Sequence, residues 1–182
     1  MDVLELDGQR YTRRGKMWAD EDGMVACYII QDKLNRLFNE TLDYNAMPFD
    51  ELLKTGDQYK ETHSLGLAVR CYRVAFEKAD MYGIKLILPR LTSCFRQMGR
   101  PQDAIEVLTE AAGRFGSCVM SAPLYTSAAA AYCDMGQYRL ARKACNRAFA
   151  LSKVLSKDGR IAGELEEVFG RIRKEAPEVM DD

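Results

Sequence analysis

Little in this 182-residue chain supports covalent chemistry. There is one histidine, His63. The chain has no G-x-G-x-x-G or G-x-x-x-x-G-K-[ST] phosphate loop, no H-E-x-x-H and no Cys/His spacing of the zinc-binding kind, so no cofactor or metal is expected. His63 sits in a predicted turn, with no cysteine or serine constellation that the sequence can place beside it. An enzyme is therefore not the expectation. No apolar run approaches the ~18 residues that span a bilayer, and MDVLELDGQRYTRR lacks a signal-peptide core. Membrane partners are not expected, and the protein is expected to stay in the cytoplasm. The six cysteines form no C-x-x-C pair, and Cys71, Cys94, Cys133 and Cys145 fall inside predicted helices, which reads as buried free thiols in a reducing compartment. Lys plus Arg number 26 and Asp plus Glu 27, so no global field points to nucleic acid.

What is present is helical periodicity. Residues 121–153 read as two helices folded back across Gly136, with Tyr125, Ala128, Ala129 and Tyr132 on one face before it. After it come Tyr138, Ala141, Cys145, Ala148 and Phe149. Small residues at the contact let two backbones approach closely. The pattern recurs upstream: Ala68, Ala104 and Ala141 are equivalent, 36 and 37 residues apart.

In this register the chain resembles the tetratricopeptide repeat family, whose period is about 34 residues. Repeat 1 matches at Leu52, Gly56, Tyr59, Leu65, Ala68, Tyr72 and Ala75, although His63 stands at the turn glycine. Repeat 2 matches at Leu88, Leu91, Phe95, Gly99, Ala104, Leu108 and Ala111, with Pro101 suited to a first helical turn. Asp80, Gly116 and Lys153 replace the late proline. The resemblance covers roughly residues 49–155. It implies a mostly α fold, a three-repeat helical solenoid over residues 48–157. Around it stand a β meander plus packing helix in residues 1–47, a capping helix over 158–176 and a frayed acidic tail, 177–182.

The flanks are read from local signals. Leu4 and Leu6 alternate with Glu5 and Asp7, Asp7-Gly8 signals a tight hairpin, and Trp18 is the anchor. Asp20-Glu21-Asp22-Gly23 lacks the alternation of a calcium loop and reads as a solvated turn. Ile29, Ile30, Leu34, Leu37 and Phe38 mark one side of a first helix, Gly83 ends repeat 1, and Ile161, Leu165, Val168, Phe169 and Ile172 form the stripe of the cap.

The resemblance also implies a concave face built from the first helix of each repeat. Its inward residues are Asp50, Leu53, Lys54, Asp57, Lys60 and Glu61, then Leu86, Pro89, Arg90, Ser93, Arg96 and Gln97, then Pro123, Thr126, Ser127, Ala130, Cys133 and Asp134. Arg90, Ser93, Arg96 and Gln97 share a helix face, where guanidinium groups can hold a carboxylate bidentately. Leu53 and Asp57 stand where the family's clamp for a C-terminal carboxylate needs Lys and Asn, so that specificity is not carried over. The expected function is non-enzymatic binding of a protein or peptide, with acidic groups on the partner. Scaffold, chaperone and regulator all remain open. The alternative partner is nucleic acid, on a basic outer stripe of Arg139, Arg142, Lys143 and Arg147, extended by Lys153, Lys157 and Arg160.

Overall fold

The computed structural model describes residues 2–116, 119–155 and 159–180. Cys118, Lys157 and the last two residues of the tail, all used in the reading above, lie outside these residues, and of Lys153 and Arg160 only the backbone is described. Among the described residues there are eight α-helices and one three-stranded antiparallel sheet. None of these helices is long and apolar enough to cross a membrane. The chain divides into two compact units, Met1–Ala46 and Met47–Asp182.

The first unit is a meander, β1 (Val3–Leu6), β2 (Gln9–Arg14) and β3 (Met17–Ala19), against helix α1 (Tyr28–Thr41). Asp7 and Gly8 both have positive φ, 55° and 79°, as a two-residue hairpin turn requires. Trp18 is fully buried. Its indole N–H donates to Asn35 Oδ1 at 2.9 Å, and its ring meets Phe38 edge-on at 5.8 Å. Buried Gln31 joins helix to sheet: its Oε1 accepts from the Trp18 amide at 2.9 Å, and its Nε2 donates to the Trp18 carbonyl at 2.7 Å. Asp20 turns its carboxylate onto the Met24 amide of its own turn. The apolar side of α1 is narrower than the sequence suggests. Leu34 is buried with Ile30 and Phe38 packed nearby, whereas Ile29 and Leu37 are exposed, because a three-stranded sheet covers only one stripe of a helix.

The second unit is a run of antiparallel neighbours: α2 (Phe49–Glu61), α3 (Leu65–Lys78), α4 (Met81–Gln97), α5 (Pro101–Phe115), α6 (Ala122–Asp134), α7 (Tyr138–Leu155) and α8 (Gly159–Glu175). Each packs on the next, and α4 also touches α6, which also touches α8. The periodicity is written most plainly in the turns. After α2, α4 and α6 the chain passes through the left-handed region at His63 (φ 57°), Gly99 (69°) and Gly136 (70°). In each case the amide one residue later donates back to an aromatic residue's carbonyl at 2.8 Å: Ser64 to Tyr59, Arg100 to Phe95, Gln137 to Tyr132. These are equivalent helix C-caps. His63 therefore adopts the glycine conformation without being glycine.

The small residues lie where the register puts them. Ala68, Ala75, Ala104, Ala111, Ala141 and Ala148 are all fully buried. Gly56 is held against Tyr72 so closely that a Cβ there would sit 2.5 Å from the ring. Asp80, at the position of a late proline, instead caps α4 by accepting from the Tyr82 and Gly83 amides at 3.0 and 2.7 Å.

Three local expectations are corrected. Gly83 does not end a repeat; it lies inside α4, where the lack of a side chain admits the Phe49 ring. Phe149 is half exposed, since the small face of α7 is already filled by Ala141, Cys145 and Ala148. The tail does not fray at its start. Pro177–Met180 forms a 3-10 turn with Val179 buried, held because Arg142 donates to the Val179 carbonyl.

Candidate binding face on helices α2 and α4

Side chains link helices α2 and α4 at two places. The Phe49 ring lies against Gly83, and Asp57 pairs with Arg90. Leu53 on α2 and Leu86 on α4 each lie one helical turn before that ion pair. Arg90 holds Asp57 in a two-pronged contact, Nε to Oδ1 at 2.8 Å and Nη2 to Oδ2 at 3.1 Å. Tyr72, from α3, donates its hydroxyl to the same Oδ1 at 2.6 Å. Burial would raise the Asp57 carboxyl, but hydrogen bonds from Arg90 and Tyr72, with Lys60 nearby, hold it below the ordinary carboxylate range. Tyr72 is pushed up, first by burial and then by Asp57.

Pro89 shapes the same turn. It lacks an N–H for the carbonyl four residues back, and Arg90 Nη1 donates at 2.8 Å to the neighbouring Leu86 carbonyl, so the guanidinium lies back along α4. Further along, Gln97 donates to Ser93 Oγ at 2.9 Å. Lys54 and Lys60 make no hydrogen bond or ion pair among the described residues. Leu86 is 50% exposed and Tyr82, one turn earlier, 80%. Tyr82 was not among the inward residues read from the sequence, because α4 starts at Met81, before the break expected at Gly83.

The other flank of α4 is different. Arg96 Nε contacts Asp134 Oδ2 at 2.6 Å, and Arg171 of α8 contacts Asp134 Oδ1 at 2.9 Å. Helix α8 packs over α6, so the inner face of α6 is mostly buried. Thr126, Ala130 and Cys133 are 3%, 6% and 3% exposed, and Thr126 spends its hydroxyl on the Ala122 carbonyl. What remains is a cavity of roughly 140 Å³ between α4, α6 and α8, lined by Arg96, Ser127, Glu164, Glu167 and Arg171 among others. Thr126 is thus removed from the predicted face. The two arginines expected to await a partner's carboxylate are each already paired with a carboxylate of this chain.

Sequence reasoning missed Arg171 and the pairings. A signal was present: Asp57 with Arg90, Arg96 with Asp134, Asp134 with Arg171 and, on α3 and α5, Arg73 with Glu110 stand 33, 38, 37 and 37 residues apart. Opposite charges 33 to 38 residues apart mark side chains that meet between every second helix.

The basic stripe on α7 is broken in the same way. Arg142 is half-buried and committed to the Val179 carbonyl, while Lys143 and Arg147 remain exposed. Cys71, Cys94, Cys133 and Cys145 are buried free thiols, and burial pushes Cys71 and Cys145 up to about 12. Cys27 is exposed. Among the described residues no group of His, Cys, Asp and Glu is arranged to hold a metal ion.

No protein-family model matches the chain, and no curated protein matches it either.

Proposed function

We propose that this chain is a non-enzymatic, tetratricopeptide-like helical solenoid of the cytoplasm that binds a polypeptide segment on the inner face of α2 and α4. The architecture is supported by the three equivalent turns at His63, Gly99 and Gly136 and by the buried alanines spaced one repeat apart. The observation that carries the binding reading is the contrast along the inner face. At α6 that face is covered by α8, whereas at α2 and α4 it offers exposed Tyr82 and Leu86 beside Arg90, Lys54 and Lys60. Exposed apolar side chains rimmed by polar groups are the usual mark of an interaction surface.

The alternative, a nucleic-acid partner on α7, rests on Lys143 and Arg147 now that Arg142 is occupied. Capture from native lysate, with and without nuclease, separates the two. Leu86→Asp should abolish recovery of a nuclease-resistant protein partner, while Lys143→Glu with Arg147→Glu leaves it intact. The reverse pattern, with loss on nuclease treatment, rejects the α2/α4 face.

A further inference from the structure

Arg90 has five N–H groups, and the structure accounts for three of them. Nε and one hydrogen of Nη2 go to Asp57, and one hydrogen of Nη1 goes to the Leu86 carbonyl. One N–H on each terminal nitrogen has no partner among the described residues, and these two donors remain for a carboxylate. Asp57 orients the guanidinium without using them. It would also not be orphaned by a small shift of Arg90, because Tyr72 donates to it independently at 2.6 Å.

The surroundings select the ligand's charge. Lys60 acts on Asp57 together with Arg90, so two cations meet one carboxylate, and Lys54 stands one turn before Asp57 on the same helix. Along α4, exposed Leu86 lies four residues before Arg90, a rise of about 6 Å, and exposed Tyr82 lies one turn beyond. In an extended chain, side chains two residues apart point the same way at about 6.6 Å. The two spacings match.

Building on the proposed binding face, we infer that its occupant is an extended segment carrying Asp or Glu and, two residues away, a large apolar side chain. The acid takes the two remaining donors of Arg90, and the apolar residue rests on Leu86 and Tyr82. The acid is a side chain within the segment, and Asp57 serves as a built-in positioning residue for the arginine.

Panning a phage-displayed library of random 12-residue peptides on the immobilised full-length protein tests this. The expected result is enrichment of the Asp/Glu-x-apolar pattern. Synthetic versions of the selected peptides should bind at least about tenfold more weakly when the acid becomes its amide. Arg90→Gln should weaken the acidic peptide to the same degree and leave the amide peptide unaffected. Leu86→Ser, an exposed change that spares the ion pair, should weaken both peptides alike, which keeps the test valid if Arg90→Gln fails to fold. Enriched peptides without the acid, sensitive to Leu86→Ser but not to Arg90→Gln, would overturn this inference while leaving the binding face standing. No enrichment, peptides indifferent to both changes, or concentration-dependent self-association dissolved by Leu86→Ser would overturn both.

Discussion

The two flanks of α4 use the same chemistry to different ends. Toward α2, Arg90 and Asp57 join two helices and leave the surface around them open; toward α6, Arg96 joins Asp134, but Arg171 arrives from α8 and closes the face. An aspartate on a neighbouring helix therefore does not decide whether an arginine can bind anything. Its remaining donors and its cover decide that. The comparison also explains why Arg90→Glu with Arg96→Glu, an obvious probe of the face, is a poor one: each glutamate would face an aspartate across the helix contact and lower stability by charge repulsion.

The comparison can be broken most forcefully by stripping the covered flank. Ile172, fully buried on α8, should lose about 3 kcal/mol of stability when changed to alanine, read by denaturant unfolding, and the thiol of Cys133 beneath should become faster to label. On the open flank Gly56→Ala should cost about 2–3 kcal/mol, because the new Cβ meets the Tyr72 ring at 2.5 Å. Gly163→Ala on α8, where nothing lies within 4 Å, should stabilise by about 0.5–1 kcal/mol instead. If both glycines tolerated alanine equally, the close approach of α2 and α3 would be wrong.

A smaller effect separates the turns. His63→Gly should stabilise by about 0.5–1 kcal/mol, since the site holds φ at 57°, while Gly136→Ala should destabilise by a similar amount. The smallest is a pH effect at Asp57. Its folded carboxyl titrates below the ordinary value, so the stability it contributes is complete above about pH 4 and lost as pH falls through the folded value. Thermal melts between about pH 5 and pH 2 should lose less stability in Asp57→Asn than in the unaltered chain.

Much of the fold was legible because helix contacts require small residues at fixed spacing. Ala68, Ala104 and Ala141 gave the period, and the turn at 63 was visible despite its histidine. The meander was legible from Asp7-Gly8. What covers a face was not. The stripe Ile161, Leu165, Val168 and Ile172 announces that α8 packs, but amphipathicity carries no address, so Thr126 and Cys133 read as groove when they are floor beneath α8. The same gap made Ile29 look buried, whereas Tyr82 was missed because a break was expected at Gly83. Charge pairing was half legible: Arg90 and Arg96 stood out as cations on one helix, and only their partners one repeat away reveal how many donors remain.

The account rests on the open flank being where a polypeptide sits. A photo-crosslinking phenylalanine derivative placed at position 86 of the full chain, with matched controls at exposed positions 147 and 164, addresses that directly. The expected result is a discrete, nuclease-resistant protein adduct from 86 alone. Adducts from 147 or 164 with none from 86 would contradict it.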